Sequence, residues 1–172
     1  AGGAVEGDSG SWDFTTGGAP PVAGCTDPSA DNYNPDATLD DGSCLYNDPV
    51  HFVVNLNETG ESSLVIIENV LDLEYGDEVG LFDTFGVVES CDPDSGCDDI
   101  VMGEVLVGSG IWTGEQLNIV GVGSVDLSEF GGPVLNGYVD GNQIVYKVWK
   151  ASTDMEYSAS VEYELGNGTW GE

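Results

Sequence analysis

The sequence predicts an all-β protein: an antiparallel β-sandwich of the immunoglobulin or jelly-roll kind, a small disulfide-closed acidic loop module and an extended N-terminal arm. Short alternating or continuous apolar stretches recur from Val50 to the end of the 172-residue chain, with turn residues between them. The chain has 26 glycines and 7 prolines, which favours turns over long helices. No segment has the i, i+3, i+4, i+7 apolar pattern of an amphipathic helix.

Composition divides the chain into three segments. Residues 1–23 are rich in glycine and proline and form the arm and a linker. Residues 24–46 are bounded by cysteines and dense in Asp and Asn, and they form the acidic module. Residues 47–172 form the β domain, in which turn spacing predicts about seven to nine short strands.

The strands of the β domain are expected at short intervals. Alternation from Val50 to Leu56 predicts a half-buried first strand, and the cleanest alternation, from Glu156 to Leu165, predicts the last. The remaining strands are predicted at 64–67, 78–82, 101–107, 117–120 and 143–149.

The charge balance excludes several classes of partner. The chain has 32 Asp and Glu residues but only two lysines and no arginine, so its formal net charge is −30 and its pI is about 4.1. Such a surface repels phosphate backbones and anionic lipid headgroups, which excludes nucleic acid and membrane-surface partners. No apolar run approaches the length of a membrane span, so no membrane insertion is expected. Oxygen-rich acids favour Ca²⁺ as a bound cation.

The four cysteines indicate an oxidising compartment. Of the three connectivities, Cys25–Cys44 with Cys91–Cys97 is favoured because each pair closes its own loop. An even number of cysteines in loops rich in Gly and Asp favours an extracellular location, secreted or at the cell surface. A zinc site is disfavoured because the spacing is wrong and His51 is the only histidine.

The acidic module has the alternate-residue oxygens of a calcium loop. A curling loop turns side chains two residues apart toward one point, as in an EF-hand loop but without its flanking helices. The alternative is a disulfide-closed polar loop that binds no metal tightly. The candidate ligands are Asn32, Asn34, Asp36, Thr38, Asp40 and Asp41.

Two stretches resemble known secreted proteins. The run Cys-Thr-Asp-Pro at 25–28 with Asp-Asp-Gly-Ser-Cys at 40–44 resembles a repeat of large secreted bacterial surface proteins, similar to thrombospondin type 3 calcium repeats. Gly-Asp-Glu-Val-Gly-Leu-Phe-Asp at 76–83, Gly-Tyr at 137–138 and Ile-Val-Tyr-Lys-Val-Trp at 144–149 resemble the β-sandwich module that follows such repeats. The resemblance implies an exported, surface-associated protein and carries no catalytic residue.

The loop between Cys91 and Cys97 has two interpretations. It is a second, weaker calcium site, or a disulfide-tied turn whose acids are merely solvated. The candidate ligands in and beside it are Asp92, Asp94, Asp98 and Asp99.

The sequence predicts no enzyme. There is no nucleophile elbow, zinc-protease helix or phosphate-binding loop, and His51, beside Phe52 in a predicted strand, is expected on a sheet surface. A pair of carboxylates could serve glycoside cleavage, but acids are so abundant here that such a pair is no evidence for it. Lys147 is expected to be an ordinary exposed or paired lysine, with an isopeptide cross-link as the alternative. Trp112, Trp149 and Trp170 form either a sugar-stacking platform or packing contacts.

Two glycosylation sequons are present, at Asn57 and Asn167. Both are expected at strand ends or turns, so glycans attached there would lie on the surface.

The arm is the most informative feature for function. Trp12 and Phe14 share one face of an extended segment, with glycines on both sides. A two-residue anchor cannot bury itself, so it docks either on its own domain or on a neighbour's sheet. Docking on a neighbour is strand addition, and repeated head to tail it gives an open filament.

These observations predict a calcium-stabilised structural subunit of an extracellular bacterial filament or surface layer, with copies of itself as partners. The alternative is an adhesin or carbohydrate-binding module of a larger surface protein, with glycans as partners.

Overall fold

The computed structural model describes residues 20–28, 30–46, 48–68, 70–90 and 100–171. Within these ranges the regular structure is almost entirely β, which confirms the predicted class. None of the helices found there is long and apolar enough to cross a membrane. The strands are β1 Ala23–Gly24, β2 Leu39–Asp40, β3 Ser62–Ile67, β4 Glu78–Glu89, β5 Val101–Ile111, β6 Leu117–Val122, β7 Val125–Asp126, β8 Val134–Leu135, β9 Ile144–Lys150 and β10 Met155–Ser158; one 3-10 helix spans Ser128–Phe130.

Two antiparallel sheets form the sandwich-like body. The larger has four strands in the order β10-β9-β4-β5, and the smaller pairs β3 with β6. The smaller sheet lies very close to β5. A Cβ added at Gly108 of β5 would lie only 2.7 Å from the carbonyl oxygen of Val120 of β6. Only glycine permits this approach of the two backbones.

The core lies between the two sheets. Val79 and Leu81 of β4, Val107 of β5 and Ile119 of β6 are buried in it. Trp170, near the end of the chain, closes the core by stacking on Tyr138, with ring centroids 4.4 Å apart and planes 6° apart. Val79 and Leu81, two residues apart, therefore share the inward face of β4, as the two-residue period of a strand requires.

The acidic module is closed by the predicted Cys25–Cys44 disulfide. Short strands β1 and β2 pair in parallel within it. Cys25 and Ala30 are buried there and form a minimal core. A module with so little apolar burial depends on its cross-link for stability. The second predicted pair, Cys91–Cys97, lies outside the described residues.

Two strand predictions are wrong. The first predicted strand, Val50 to Leu56, has bends at residues 50–52 and belongs to no sheet among the described residues. The last strand ends at Ser158 rather than Leu165, and Leu165 is 91% exposed. In both cases alternation marks an amphipathic extended chain, but strand pairing also requires a neighbour with free backbone groups.

Strands β4 and β5 extend further than predicted. They run to Glu89 and Ile111 because ladder hydrogen bonds continue past residues that interrupt the apolar pattern. Gly86 is one such residue: a Cβ there would lie 2.7 Å from the carbonyl oxygen of Gly137.

Candidate functional site

The outward face of the β3–β6 sheet is apolar and carries no charge. Leu64 lies opposite Val120 in the ladder, and Leu64, Ile66 and Val120 are 59%, 52% and 56% exposed. The other outward side chains of the pair, Ser62, Asn118 and Val122, are uncharged. An acid-free face of this kind is unusual on a chain with a net charge of −30.

The edge of β3 away from β6 carries backbone groups that no strand in the described part of the chain pairs with. The N–H of Gly123 donates to the carbonyl of Glu61, one residue beyond the end of the ladder. Odd-numbered residues of β3 therefore exchange hydrogen bonds with β6, and the N–H and C=O groups of Ser62, Leu64 and Ile66 point away from it. Within the described ranges these groups have no backbone partner.

Two shallow depressions meet beside this face. The first, of about 330 Å³, lies between Phe52, Val107 and the outward side chains of β6. The second, of about 400 Å³, is bordered by residues 58–62. Val120 and Val122 line both. The depressions and the sheet face thus form one continuous surface, in which the acids are Asp48 in the first depression and Glu58 and Glu61 in the second.

The extended segment before this surface is held by a buried carboxylate. Glu78 of β4 accepts hydrogen bonds from the N–H groups of Val50, His51 and Phe52 at 2.7–3.0 Å. Phe52 then packs edge-on against Phe82, 5.6 Å between centroids. The Glu78 carboxylate therefore takes the role that a neighbouring strand would have in binding residues 50–52.

Sequence reasoning missed this role of the acids. Asp77, Glu78 and Asp83 are each at most 1% exposed. Acids are so abundant in this chain that the sequence alone did not single these three out. Asp77 accepts hydrogen bonds from the N–H groups of Glu74 and Ala151, and Asp83 accepts one from Val139. Each ties β4 to a different segment. The available signal was their position, since all three stand at or within the first half of β4, beside the buried apolar residues Val79, Leu81 and Phe82.

The predicted calcium ligands are used in backbone turns of the module. Asn34, Asp40 and Asp41 each direct a side-chain oxygen to the N–H two residues further along, at 3.0–3.1 Å. The Asn32 amide bridges Ser43 and Leu45, and the Thr38 hydroxyl accepts from Val22. Asp36 contributes its N–H to the Asn34 turn. Across the described ranges, no three acidic, His or Cys side chains lie close enough together to hold a metal.

Calcium therefore remains a prediction that depends on amide, hydroxyl and carbonyl oxygens as well as carboxylates. Ser43 donates to Asp41 and lowers the pKa of that carboxyl, which keeps it ionised. Burial and the Asp27 carboxylate raise the pKa of Tyr46, so its hydroxyl stays protonated and donates to Asp27. The weaker ligands Asp92, Asp94, Asp98 and Asp99 lie outside the described residues, as do the arm residues Trp12 and Phe14.

The tryptophans do not form a sugar-binding platform. Trp112 and Trp170 are buried. Trp149 is covered by His51, whose ring stacks on it with centroids 5.1 Å apart. His51 thus lies over a sheet face from the extended segment, rather than on a strand. Lys147 is the predicted paired lysine: its Nζ is 2.7 Å from Glu104 and 4.2 Å from the centre of the Phe82 ring.

Both sequon asparagines are exposed. The Thr169 hydroxyl and N–H donate to the Asn167 side chain, at 2.6 Å and 3.0 Å. The Thr59 hydroxyl donates instead to the carbonyl of Gly123, at 2.6 Å, and holds the chain before β3 against the end of β6. Glycosylation at either position stays a prediction.

Comparison with known proteins gives no match to a family model, to a curated protein or to a solved structure.

Proposed function

We propose that this chain is a structural subunit of an extracellular filament or surface layer, in which the arm of one copy docks on the β domain of another. The observation that carries the proposal is the two-stranded β3–β6 sheet. Its outward face is largely apolar and uncharged, and the backbone groups along one of its edges have no backbone partner among the described residues. Exposed strand edges with apolar faces are sites of strand addition.

Electrostatics favours this face over the rest of the surface. Two copies with a net charge of −30 each repel one another. Repulsion is weakest where acids are absent, and the outward face of β3–β6 has none. Residues 9–18 of the arm contain one charged residue, Asp13, so the two proposed surfaces are matched in their low charge.

The same charge gives calcium its proposed role. Bound cations reduce self-repulsion within and between copies, which supports a calcium-stabilised assembly outside the cell. The Cys25–Cys44 disulfide supports the extracellular location, because such bonds persist in oxidising compartments.

Replacing both arm aromatics, Trp12→Ser with Phe14→Ser, is expected to abolish assembly and leave the β domain folded. Burial of one large aromatic side chain contributes about 1.5–3 kcal/mol, so the pair supplies several kcal/mol per junction. Light scattering and electron micrographs of the full chain measure assembly, and a thermal melt measures folding.

The matched control is Ser11→Ala with Thr15→Ala, which changes the opposite side of the same segment and should leave assembly intact. A wild-type chain that stays monomeric at high concentration with calcium present contradicts the proposal. So does a double Ser variant that melts at a lower temperature with no change in size, because its arm then docks on its own domain.

Calcium removal is expected to lower the Tm. At a free Ca²⁺ concentration of about 100 times Kd, binding contributes about 2.7 kcal/mol, equivalent to about 5–10 °C in Tm for a chain of this size. A melt with and without EDTA measures the shift, and Asp36→Asn should reduce it. Asp126→Asn, an exposed acid outside the module, is the control. An unchanged melting curve, with no calcium found by elemental analysis, rules out the metal site.

A further inference from the structure

We infer that the docking site is the free edge of β3, and that its occupant is the segment of residues 11–15 from a second copy, added as a third strand of the β3–β6 sheet. The inference rests on the proposed function and assigns the site within it. The donor strand pairs with the N–H and C=O groups of Ser62, Leu64 and Ile66, which point away from β6.

The opposite edge of this sheet is already covered. On β6, the carbonyl of Val122 accepts a hydrogen bond from Tyr138. The carbonyl of Val120 faces β5, where a Cβ on Gly108 would lie 2.7 Å away. A donor strand would have to displace β5 to pair there. The β3 edge needs no such displacement.

The free edge of the four-stranded sheet is a poorer site. Its outer strand, β10, carries Glu156, whose carboxylate lies 3.3 Å from His51 and 3.7 Å from Lys147. A neighbour with a net charge of −30 would meet a charged network on that strand. Charged side chains on an edge strand oppose pairing with another chain. Strand β3 has no charged residue.

The core is incomplete beside β3. Val65 and Ile67 face inward and pack against the core, but both are only partly buried. The sheet that carries them has two strands, against four in the sheet it covers. A third strand beside β3 would place alternate side chains next to Val65 and Ile67, on the core side. That position suits two large aromatics with the same two-residue spacing.

Residues 11–15 fit this position in pattern and charge. In an added strand, Trp12 and Phe14 would share one face and would cover the partly buried Val65 and Ile67. Ser11, Asp13 and Thr15 would then lie on the outward face beside Leu64 and Ile66. Aromatic and threonine residues favour strands.

The test uses the full-chain Trp12→Ser/Phe14→Ser variant as acceptor and a synthetic peptide of residues 9–18 as donor. Peptide binding should slow amide hydrogen exchange at Leu64 and Ile66 by at least about tenfold, the mark of new backbone hydrogen bonds. Ser63, Val65 and Ile67 already bond to β6, so their exchange should be slow in both states. This alternation along one strand is specific to edge pairing.

A proline variant tests the same hydrogen bonds. Leu64→Pro in the acceptor removes an N–H that points out of the sheet, a place where an edge strand tolerates proline. It should weaken peptide binding by more than about tenfold, whereas Leu64→Ala, which keeps the N–H, should weaken it less. If Leu64→Pro does not fold, the exchange pattern still decides the site.

Three outcomes overturn the inference. Protection at residues 58–61 and 120 or on β10, rather than at Leu64 and Ile66, places the site elsewhere and leaves the proposed function standing. If Leu64 and Ile66 are protected from amide exchange in the dilute wild-type chain, and this protection does not change with concentration, then the occupant is the chain's own arm. If the peptide does not bind but the wild type assembles, the inference is wrong and the proposed function stands. If the peptide does not bind and the wild type also stays monomeric, both are wrong.

Discussion

Replacing Trp170 with alanine is expected to lower the free energy of unfolding by about 3–5 kcal/mol, the range for truncating a buried large aromatic. Trp170 is 1% exposed and belongs to the central apolar cluster. Its ring stacks on Tyr138 and fills the space over Gly121, where an added Cβ would lie 2.6 Å from a ring carbon. A side chain at position 121 would therefore collide with the Trp170 ring.

Chemical denaturation of the full chain measures this loss. The control is Trp170→Phe, which keeps an aromatic ring on Tyr138. The indole N–H has no hydrogen-bond partner within the described residues, so Phe gives up packing volume but no hydrogen bond. The phenylalanine variant should retain most of the stability. Equal losses for Ala and Phe would mean that stacking on Tyr138 contributes little.

The sequence predicts the strands of the body because their buried residues alternate regularly along the chain. Val79 and Leu81, and likewise Val105 and Val107, alternate inward along β4 and β5. Period-two patterning of this kind reports which face is buried. It does not report which strands are neighbours, so the order β10-β9-β4-β5 and the separate β3–β6 pair could not be predicted.

The errors have the same origin. Residues 50–56 and 159–165 alternate as strands do, but a strand also needs a neighbour with free backbone groups. At residues 50–52 the acceptor is a side-chain carboxylate, which no periodicity reveals. After Ala159, whose N–H donates to Tyr146, the chain leaves the sheet. Its exposed residues alternate as in a strand, but no strand in the described ranges lies beside it to pair with.

For the proposed docking, the sequence indicates only the donor. The alternation of Trp12 and Phe14 predicts strand addition, which stays a prediction, and the edge proposed to receive the strand could not be identified from sequence. Its defining property is the direction in which the backbone groups of Leu64 and Ile66 point, which depends on register with β6. The same apolar run at 64–67, placed at the centre of a sheet, would have no free edge.

Glu78→Gln is expected to lower the free energy of unfolding by about 2–4 kcal/mol, because a buried group that accepts several N–H groups is replaced by one that must also donate. Both carboxylate oxygens of Glu78 accept from residues 50–52. In glutamine, the amide NH₂ would face one or more of these N–H donors and leave them without an acceptor. The segment that borders the first depression should then detach first.

The matched control is Glu89→Gln, the same change on the same strand at an exposed residue, and it should alter stability by less than about 0.5 kcal/mol. Chemical denaturation gives both values, and amide exchange at Val50, His51 and Phe52 identifies the segment released. A Glu78→Gln variant as stable as Glu89→Gln would mean that a neutral amide satisfies these N–H groups as well as the carboxylate does. Faster exchange at residues 50–52 with an intact β4 would instead identify Glu78 as the local clamp that shapes the depression beside β6.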